Sequence, residues 1–334
     1  MGPHQTSNLC RYASPVQTPP GPQSARPAPS PLRADRHVLG VDVGGSSAKI
    51  VVVAQDADGR LGEPVHRHRW PMPADADLAS LVAALVAASD EYAVSAVGLS
   101  VPGVVDPSGA HVVRSANVPW LEDRTLLTTL AGALGAPVTL VNDGEAFATA
   151  EALLGAGSRH DDVLVLALGT GVAGSHVVHG RVRRGAHGAA GELGHVVIDP
   201  TGDPCACGQR GCLETWIGAP HLVRRWAMAG GPADGTPASL ADAVRAGDAT
   251  AGAVVAEIHR ALARALLHVV TLVDPGLVVV GGGVGLAADV YVQPAVGLAR
   301  EWATFQTVPL VLGAELGAWA GARGAALAGG ATTP

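Results

Sequence analysis

Apolar, β-branched segments alternate with segments of helical spacing from residue 37 onward. Runs of Val, Ile and Leu bounded by Gly, Pro or Asp predict strands at 37–43, 48–54, 94–101, 138–141, 163–168, 175–178 and 276–280. Apolar residues that recur every three or four positions predict helices at 78–89, 125–134, 145–154 and 253–273. This alternation is typical of an α/β protein, and it predicts a mostly parallel central sheet.

Two of the predicted strand pairs share one plan. Residues 38–53 read VLGVDVGGSSAKIVVV, and residues 163–178 read VLVLALGTGVAGSHVV. Each contains a buried strand, a turn with glycine and a second strand. Because self-similarity of this kind is typical of repeated units, the pattern indicates two similar domains that face each other across a cleft.

Residues 1–36 lack any periodic pattern and contain eight of the 24 prolines, which predicts a disordered tail. The chain has 334 residues, a net charge of −7 and no basic run, so a nucleic-acid partner is not expected. No uninterrupted apolar run approaches the roughly 20 residues that a membrane span requires. These observations favour a cytoplasmic protein without nucleic-acid or membrane partners.

Three of the four cysteines fall in one short window, His195-x9-Cys205-x-Cys207-Gly-x2-Gly-Cys212-x-Glu214. Four cysteines are too few for a disulfide scaffold in a chain of this length. Three thiols and one imidazole supply the four tetrahedral ligands that zinc prefers. Because no coordination position is left open, we expect His195, Cys205, Cys207 and Cys212 to hold a structural zinc ion.

Two glycine-containing turns are candidates for phosphate binding. They consist of Gly44, Gly45, Ser46 and Ser47, and of Gly169, Thr170 and Gly171. Glycine lets the backbone approach an anion closely, and exposed N–H and hydroxyl groups bind phosphate oxygens. Neither turn has the spacing of a P-loop or of a dinucleotide-binding loop, and an ordinary hairpin turn is the alternative for both.

Four charged or polar residues lie beside these predicted strands. Asp42 precedes the first turn and is a candidate Mg²⁺ ligand, or else the cap of that turn. Lys49, the only lysine, either faces phosphate or lies in solvent. Asn142 and Asp143 directly follow a predicted strand, at the end where α/β sheets bind ligands. Asp143 is a candidate acceptor of a hydroxyl proton, or else the cap of the next helix.

Taken in order, these segments resemble the ROK family of sugar kinases, in the actin-like ATPase superfamily, over about 38–330. The most specific part is GAHGAAGELGHVVIDPTGDPCACGQRGCLE at 185–214, which is similar to the ROK signature and the zinc segment that follows it. DVGGSSAK, SVPGVVD at 100–106, SANVPW at 115–120, the Asn-Asp pair and GTG also appear in the family's order.

The resemblance implies an α/β protein with the two-domain actin-like ATPase (ribonuclease H-like) fold and an interdomain cleft. The small α/β domain would comprise 37–142 plus 315–334, and the large α/β domain 143–314, with a zinc loop at 195–214. A homodimer or a dimer of dimers is expected for the family.

The resemblance also assigns roles, with Asp143 as the general base for a sugar hydroxyl. The sugar would be bound by Gly103, Asn117, Asn142, Asp143, Glu192, His195 and Glu214. ATP and Mg²⁺ would be held by Asp42, Lys49, both phosphate turns and, under the nucleoside, Gly281, Gly282 and Gly283. His195 would use one ring nitrogen for zinc and the other for sugar.

The implied activity is ATP-dependent phosphorylation of a hexose hydroxyl, with glucose to glucose 6-phosphate as the expected reaction. Ala173 and Ser175 replace glycines of the family pattern, and Gly144-Glu145 adds a carboxylate near the site. These departures leave open a kinase for a cyclitol or for a modified or N-acetylated hexose. A sugar-responsive ROK transcriptional regulator would need a winged helix, which residues 1–36 do not predict. A polyphosphate-dependent glucokinase is a further alternative, although such relatives generally lack the zinc cysteines.

Overall fold

The computed structural model describes residues 36–331, so the predicted tail lies outside the described residues apart from Arg36. The strands of this part are β1 (Arg36–Val43), β2 (Ser47–Gln55), β3 (Leu61–Pro71), β4 (Val94–Val101), β5 (Val104–Val105), β6 (Val112–Arg114), β7 (Val138–Asn142), β8 (Asp162–Leu168), β9 (Val172–Val178), β10 (Arg181–Val182), β11 (Leu277–Gly281) and β12 (Leu310–Gly313). Its α-helices are α1 (Leu78–Ser89), α2 (Leu126–Leu134), α3 (Asp143–Leu154), α4 (Glu214–Ile217), α5 (Ala219–Met228), α6 (Pro237–Arg245), α7 (Ala249–Leu272), α8 (Gly282–Gly285), α9 (Ala288–Tyr291), α10 (Gln293–Trp302) and α11 (Ala320–Gly330). None of these helices is both long and apolar enough to cross a bilayer.

Ten of these twelve strands form two five-stranded sheets with the same plan. The first has the order β3-β2-β1-β4-β7, and the second has the order β10-β9-β8-β11-β12. In each sheet the first three strands are antiparallel and the last three are parallel. The predicted mostly parallel arrangement is therefore wrong, because half of the strand pairs in each sheet are antiparallel. Each glycine turn joins its two strands directly, and a tight hairpin of this kind pairs strands antiparallel.

The internal repeat corresponds to two hairpins, β1–β2 and β8–β9, which occupy equivalent positions in the two sheets. The Gly44 N–H donates to the Ser47 carbonyl at 3.0 Å, and the Gly169 N–H donates to the Gly171 carbonyl at 2.9 Å. Both turns are thus closed by a backbone hydrogen bond. The second strand of the β8–β9 hairpin begins at Val172, before the predicted start at 175.

Two helices connect the sheets. Helix α3 follows β7 of the first sheet but packs against β8 and β9 of the second, whereas α11 follows the second sheet and packs against β1 and β4. The two helices also contact each other, and a Cβ atom at Gly324 would collide with the Ala146 carbonyl oxygen. Close approach of the backbones therefore explains why α11 is made mostly of Ala and Gly. The domain boundaries at 142/143 and 314/315 stay predictions.

Each sheet has its own apolar core. Leu39 and Leu99 of the first sheet are fully buried against Leu81 of α1 and Leu130 of α2. The second sheet packs on the long helix α7, from which Val255, Ile258, Leu262, Leu266 and Val269 point into the core. These two cores fix the strand ends at which the candidate functional residues lie.

Candidate active site and metal centre

Three parallel strands of the first sheet end side by side. Asp42 of β1 pairs with Ser100 of β4, and Val101 of β4 pairs with Asn142 of β7. Carboxyl ends of neighbouring parallel strands meet at one edge of a sheet, where α/β proteins bind ligands. The structure therefore brings Asp42, Asn142 and Asp143 to one edge, together with Gly103, which follows β4.

Asn142, and not Asp143, is the N-cap of helix α3. Its Oδ1 accepts hydrogen bonds from the backbone N–H groups of Gly144 at 2.9 Å and Glu145 at 3.3 Å. Helix α3 therefore begins at Asp143 rather than at the predicted Glu145. The Asn142 amide also donates to the Gly103 carbonyl at 2.8 Å. Gly103 has a φ of 113°, and a Cβ there would collide with the Arg114 carbonyl oxygen, so only glycine fits.

The Asp143 side chain is accessible to solvent, although protein atoms surround its carboxyl closely. This partial removal from water raises the pKa of its carboxyl, and the negative charge of Asp42 raises it further. The Gly144 N–H, which donates to Oδ1 at 2.8 Å, acts in the opposite direction. A carboxylate with a raised pKa binds a proton more strongly, which suits a general base.

Asp42 and Lys49 form an ion pair across the first hairpin, with 3.1 Å between Nζ and Oδ2. The side chains are 15% and 20% exposed, so Lys49 does not lie free in solvent. Ser100 donates to the other oxygen of Asp42 at 3.0 Å. Arg69 of β3 lies directly opposite Lys49, hence on the same face of the sheet. The sequence analysis missed Arg69 because it did not predict β3.

The glycine turns of the second sheet lie at the ends of adjacent parallel strands. Gly281 pairs with Ala167, two residues before Gly169, so both turns reach the same edge. The predicted turn at Gly281, Gly282 and Gly283 has a different form, since Gly281 ends β11 and the next residues begin the short helix α8. Gly282 has a φ of 84°, and a Cβ there would collide with the Leu168 carbonyl oxygen.

Glu214 contacts the second glycine turn. Its Oε2 accepts a hydrogen bond from the Val172 N–H at 3.0 Å, directly after Gly171. The sequence analysis placed Glu214 against the sugar, and this contact with the β8–β9 hairpin was not predicted. The Glu214 carboxylate therefore ties the end of the zinc loop to the turn.

The predicted metal ligands converge. One ligand atom from each of His195, Cys205, Cys207 and Cys212 lies within 4.8 Å of all the others. Cys205 Sγ is 3.6 Å from His195 Nδ1, and the Sγ atoms of Cys207 and Cys212 are 3.7 Å apart. Tetrahedral zinc with its usual bond lengths would separate two sulfur ligands by about 3.8 Å and sulfur from nitrogen by about 3.6 Å. The side chains present therefore fit zinc.

The Cys212 thiol lies in an environment that a cation would relieve. Burial, together with the neighbouring thiols Cys207 and Cys205, raises the pKa of Cys212 to about 12. A thiolate is needed for metal ligation, and zinc bound at the centre would supply the positive charge that favours it. His195 turns Nδ1 towards the sulfurs and leaves Nε2 at 3.9 Å from Glu192 Oε2. Nδ1 thus faces the predicted zinc ligands, and Nε2 faces Glu192, a predicted sugar ligand.

Asn117 and Glu145, the two remaining residues that the sequence analysis singled out, differ in their contacts. Asn117 is exposed in the loop after β6. Glu145, the additional carboxylate, is held by Arg184 through two hydrogen bonds, Nε to Oε1 at 2.6 Å and Nη2 to Oε2 at 2.7 Å. The sequence analysis placed this carboxylate near the site and predicted no partner for it, and the structure shows it paired. Because Arg184 lies 39 positions from Glu145, no local sequence pattern indicated this pair.

The family model described as "ROK family" matches residues 38–329 of the chain. A glucokinase of Thermotoga maritima is 33% identical over 272 residues, which cover 77% of this chain and 85% of the relative. The chain therefore belongs to the ROK family, as the sequence motifs predicted.

Solved structures of the family share its architecture. The ROK hexokinase from Thermus thermophilus is 34% identical and aligns with a TM-score of 0.77 over 88% of this chain and 97% of its own. A ROK family glucokinase from Streptomyces griseus, in complex with glucose and AMPPNP, is 32% identical, with a TM-score of 0.69 over 87% and 98% of the two chains. The fold is thus the actin-like ATPase fold, and the chain is a sugar kinase of this family.

Proposed function

We propose that the protein transfers the γ-phosphoryl group of ATP to a hexose hydroxyl, with glucose as the acceptor and glucose 6-phosphate as the product. Asp143 is the general base. The observation that carries this proposal is the position of Asp143, whose pKa is raised at a sheet edge that it shares with Asp42. The similarity to a glucokinase that binds glucose and AMPPNP supports the choice of both substrates.

The donor is held from both sheets in this proposal. The backbone N–H groups of the turns at 44–47 and 169–171 bind phosphate oxygens, and Lys49 adds a positive charge on the Asp42 side. Asp42 presents two carboxylate oxygens, the ligand type that Mg²⁺ prefers, so the site fits the ion. Mg²⁺, when bound there, neutralises charge on the phosphates. Phosphoryl transfer requires mainly alignment and such neutralisation, so no covalent step on the protein is needed.

The acceptor lies between Asp143 and the zinc loop. Asp143 accepts the proton of the attacking hydroxyl, and Asn142 and Asn117 hydrogen-bond neighbouring hydroxyls. Glu192 and His195 Nε2 bind the far end of the ring. His195 turns Nδ1 towards the thiols, and zinc held there would fix the tautomer and the orientation of the ring, leaving Nε2–H to donate to the sugar. The oriented polar groups of the site therefore discriminate strongly between sugars that differ in the positions of their hydroxyl groups.

Coupled ADP release with Mg-ATP and a panel of acceptors tests this function. The panel contains glucose, other hexoses, N-acetylated hexosamines and cyclitols, and a parallel series replaces ATP by polyphosphate. Hexose-dependent ADP release, highest with glucose, is expected. Preference for a cyclitol or an N-acetylated sugar would correct the acceptor, and activity with polyphosphate alone would overturn ATP as the donor.

Replacing the base gives the sharper result. Asp143→Asn should lower kcat by about 10³-fold or more, since a positioned base contributes 10²–10⁴-fold, whereas glucose binding measured by calorimetry persists. Wild-type kcat/KM should fall as the pH is lowered through a pKa above the ordinary aspartate value, because only the carboxylate accepts the proton. Asp58→Asn, an exposed residue of the β2–β3 loop, is the matched control and should behave as wild type. Near-normal turnover of Asp143→Asn would refute the base assignment.

A further inference from the structure

The ion pair between Glu145 and Arg184 joins two parts of the acceptor site that are distant in sequence. Glu145 is the third residue of α3, in the same helical turn as Asp143. Arg184 stands at the start of the segment that leads to Glu192 and His195. The pair is bidentate, with both distances below 2.8 Å, and the Glu145 side chain is only 19% exposed.

The segment between Arg184 and Glu192 is short and closed on itself. The Ala190 N–H donates to the Arg184 carbonyl at 3.1 Å, so both ends of this segment meet at Arg184. The Gly191 carbonyl then accepts from the Gly174 N–H of β9 at 2.8 Å. Residues 183–190 are otherwise exposed. The guanidinium of Arg184 is therefore a side-chain anchor at the base of an exposed loop.

A bidentate ion pair fixes the position of one side chain relative to the other. Arginine presents a planar fork that matches a carboxylate in one orientation, so a bidentate pair fixes direction as well as distance. Glu145 is in turn fixed through its backbone, because its N–H donates to the Asn142 cap at 3.3 Å. The pKa of Arg184 is raised by Glu145, as is expected for a guanidinium hydrogen-bonded to a carboxylate. The helix that carries Asp143 and the loop that leads to Glu192 are thereby held to each other.

We infer that Glu145 and Arg184 are positioning residues that set the distance between the two ends of the acceptor site. Asp143 acts on the hydroxyl at one end, and Glu192 and His195 bind the other. This inference rests on the proposed function, because it takes Asp143 as the base and those two residues as ring ligands. It adds a pair that touches neither zinc nor the phosphate turns and that acts on the acceptor, not on the donor.

The experiment compares Glu145→Gln, Arg184→Gln and the double variant by steady-state kinetics with both substrates varied. Each single change should raise the hexose KM about tenfold and lower kcat severalfold, since small misplacements of reacting groups are costly. The KM for ATP should stay within about twofold of wild type. The double variant should be no worse than either single one, because both remove the same interaction.

The chain offers a matched control. Arg245 and Asp289 form another bidentate pair, with 2.9 Å from Nε to Oδ2 and 2.7 Å from Nη2 to Oδ1, on α6 and α9. Arg245→Gln removes a similar contact and should leave both KM values unchanged. Zinc content and Tm of the Glu145 and Arg184 variants should match the wild type, which separates positioning from unfolding.

Each outcome has one meaning. Single variants with wild-type hexose KM and kcat would overturn the inference while the proposed function stands. A parallel rise in the KM of ATP, or effects of the two single changes that simply add, would also overturn it. Absence of hexose-dependent ADP release from the wild-type protein would instead contradict the proposed function.

Discussion

The hairpins β1–β2 and β8–β9 have the same backbone plan but carry different chemistry. The first places Asp42 and Lys49 in an ion pair at the sheet edge. At the corresponding positions of the repeat, 125 residues further on, the second has Ala167 and Gly174. The two hairpins thus share a backbone plan, but the second carries no charge at these two positions.

The second hairpin makes hydrogen bonds to neighbouring segments, whereas the first carries a charged pair. Gly174 donates its N–H to Gly191, and the Val172 N–H donates to Glu214. Those two contacts hold the beginning of the sugar-binding loop and the end of the zinc loop. Under the proposed function, the first hairpin therefore supplies charged residues to the donor, whereas the second, besides its phosphate turn, supports the acceptor site.

Among the changes that test this comparison, Asp42→Asn has the largest expected effect, and it addresses the first hairpin. It removes the charge that faces Lys49 and the predicted Mg²⁺ ligand, so kcat should fall by about 10²–10³-fold, the size seen when one electrostatic group of an active site is lost. Glucose affinity should change little, because the acceptor contacts stay intact. Steady-state kinetics at varied Mg-ATP measure this, with Asp58→Asn as the control. A variant that instead loses glucose binding would break the division between the hairpins.

Zinc removal tests the second half of the comparison, the support of the acceptor site. Zinc held by these ligands would orient His195 and close the loop that ends at Glu214, so metal-free protein should show a hexose KM raised by about 10–100-fold, the usual range for a disturbed metal environment. The KM for ATP should stay close to the wild-type value. Elemental analysis should find one zinc ion per chain before chelation, and re-addition should restore the KM. Metal-free protein with unchanged Tm and hexose KM would refute a structural site.

The sequence predicted the identity of the metal ligands better than it predicted the strands, helices and long-range pairs around the site. The ligand spacing from His195 to Cys212 predicted the metal cluster that the structure brings together, because these residues are local in sequence. Strand β3 was not predicted since GEPVHRHRW is mostly polar, as suits an exposed edge strand, and Arg69 was missed with it. Helix α11 was not predicted because Ala and Gly fit close backbone contact and leave no amphipathic pattern. Long-range pairs such as Glu145 and Arg184 leave no local signal.

Gly174→Ala is the smallest change and the most selective test of the second hairpin. A Cβ at this position would come too close to the Leu193 side chain and the Gly191 carbonyl oxygen, so the loop that carries Glu192 must shift. The hexose KM should rise about tenfold, since such a shift misplaces groups that bind the ring. The KM for ATP and the zinc content should not change. Gly132→Ala in α2 is the matched control, because nothing lies within 4 Å of its added methyl group and alanine favours a helix. If Gly174→Ala raised the KM for ATP as much as that for the hexose, Gly174 would not act selectively on the acceptor, and support of the loop that carries Glu192 would not distinguish the second hairpin from the first.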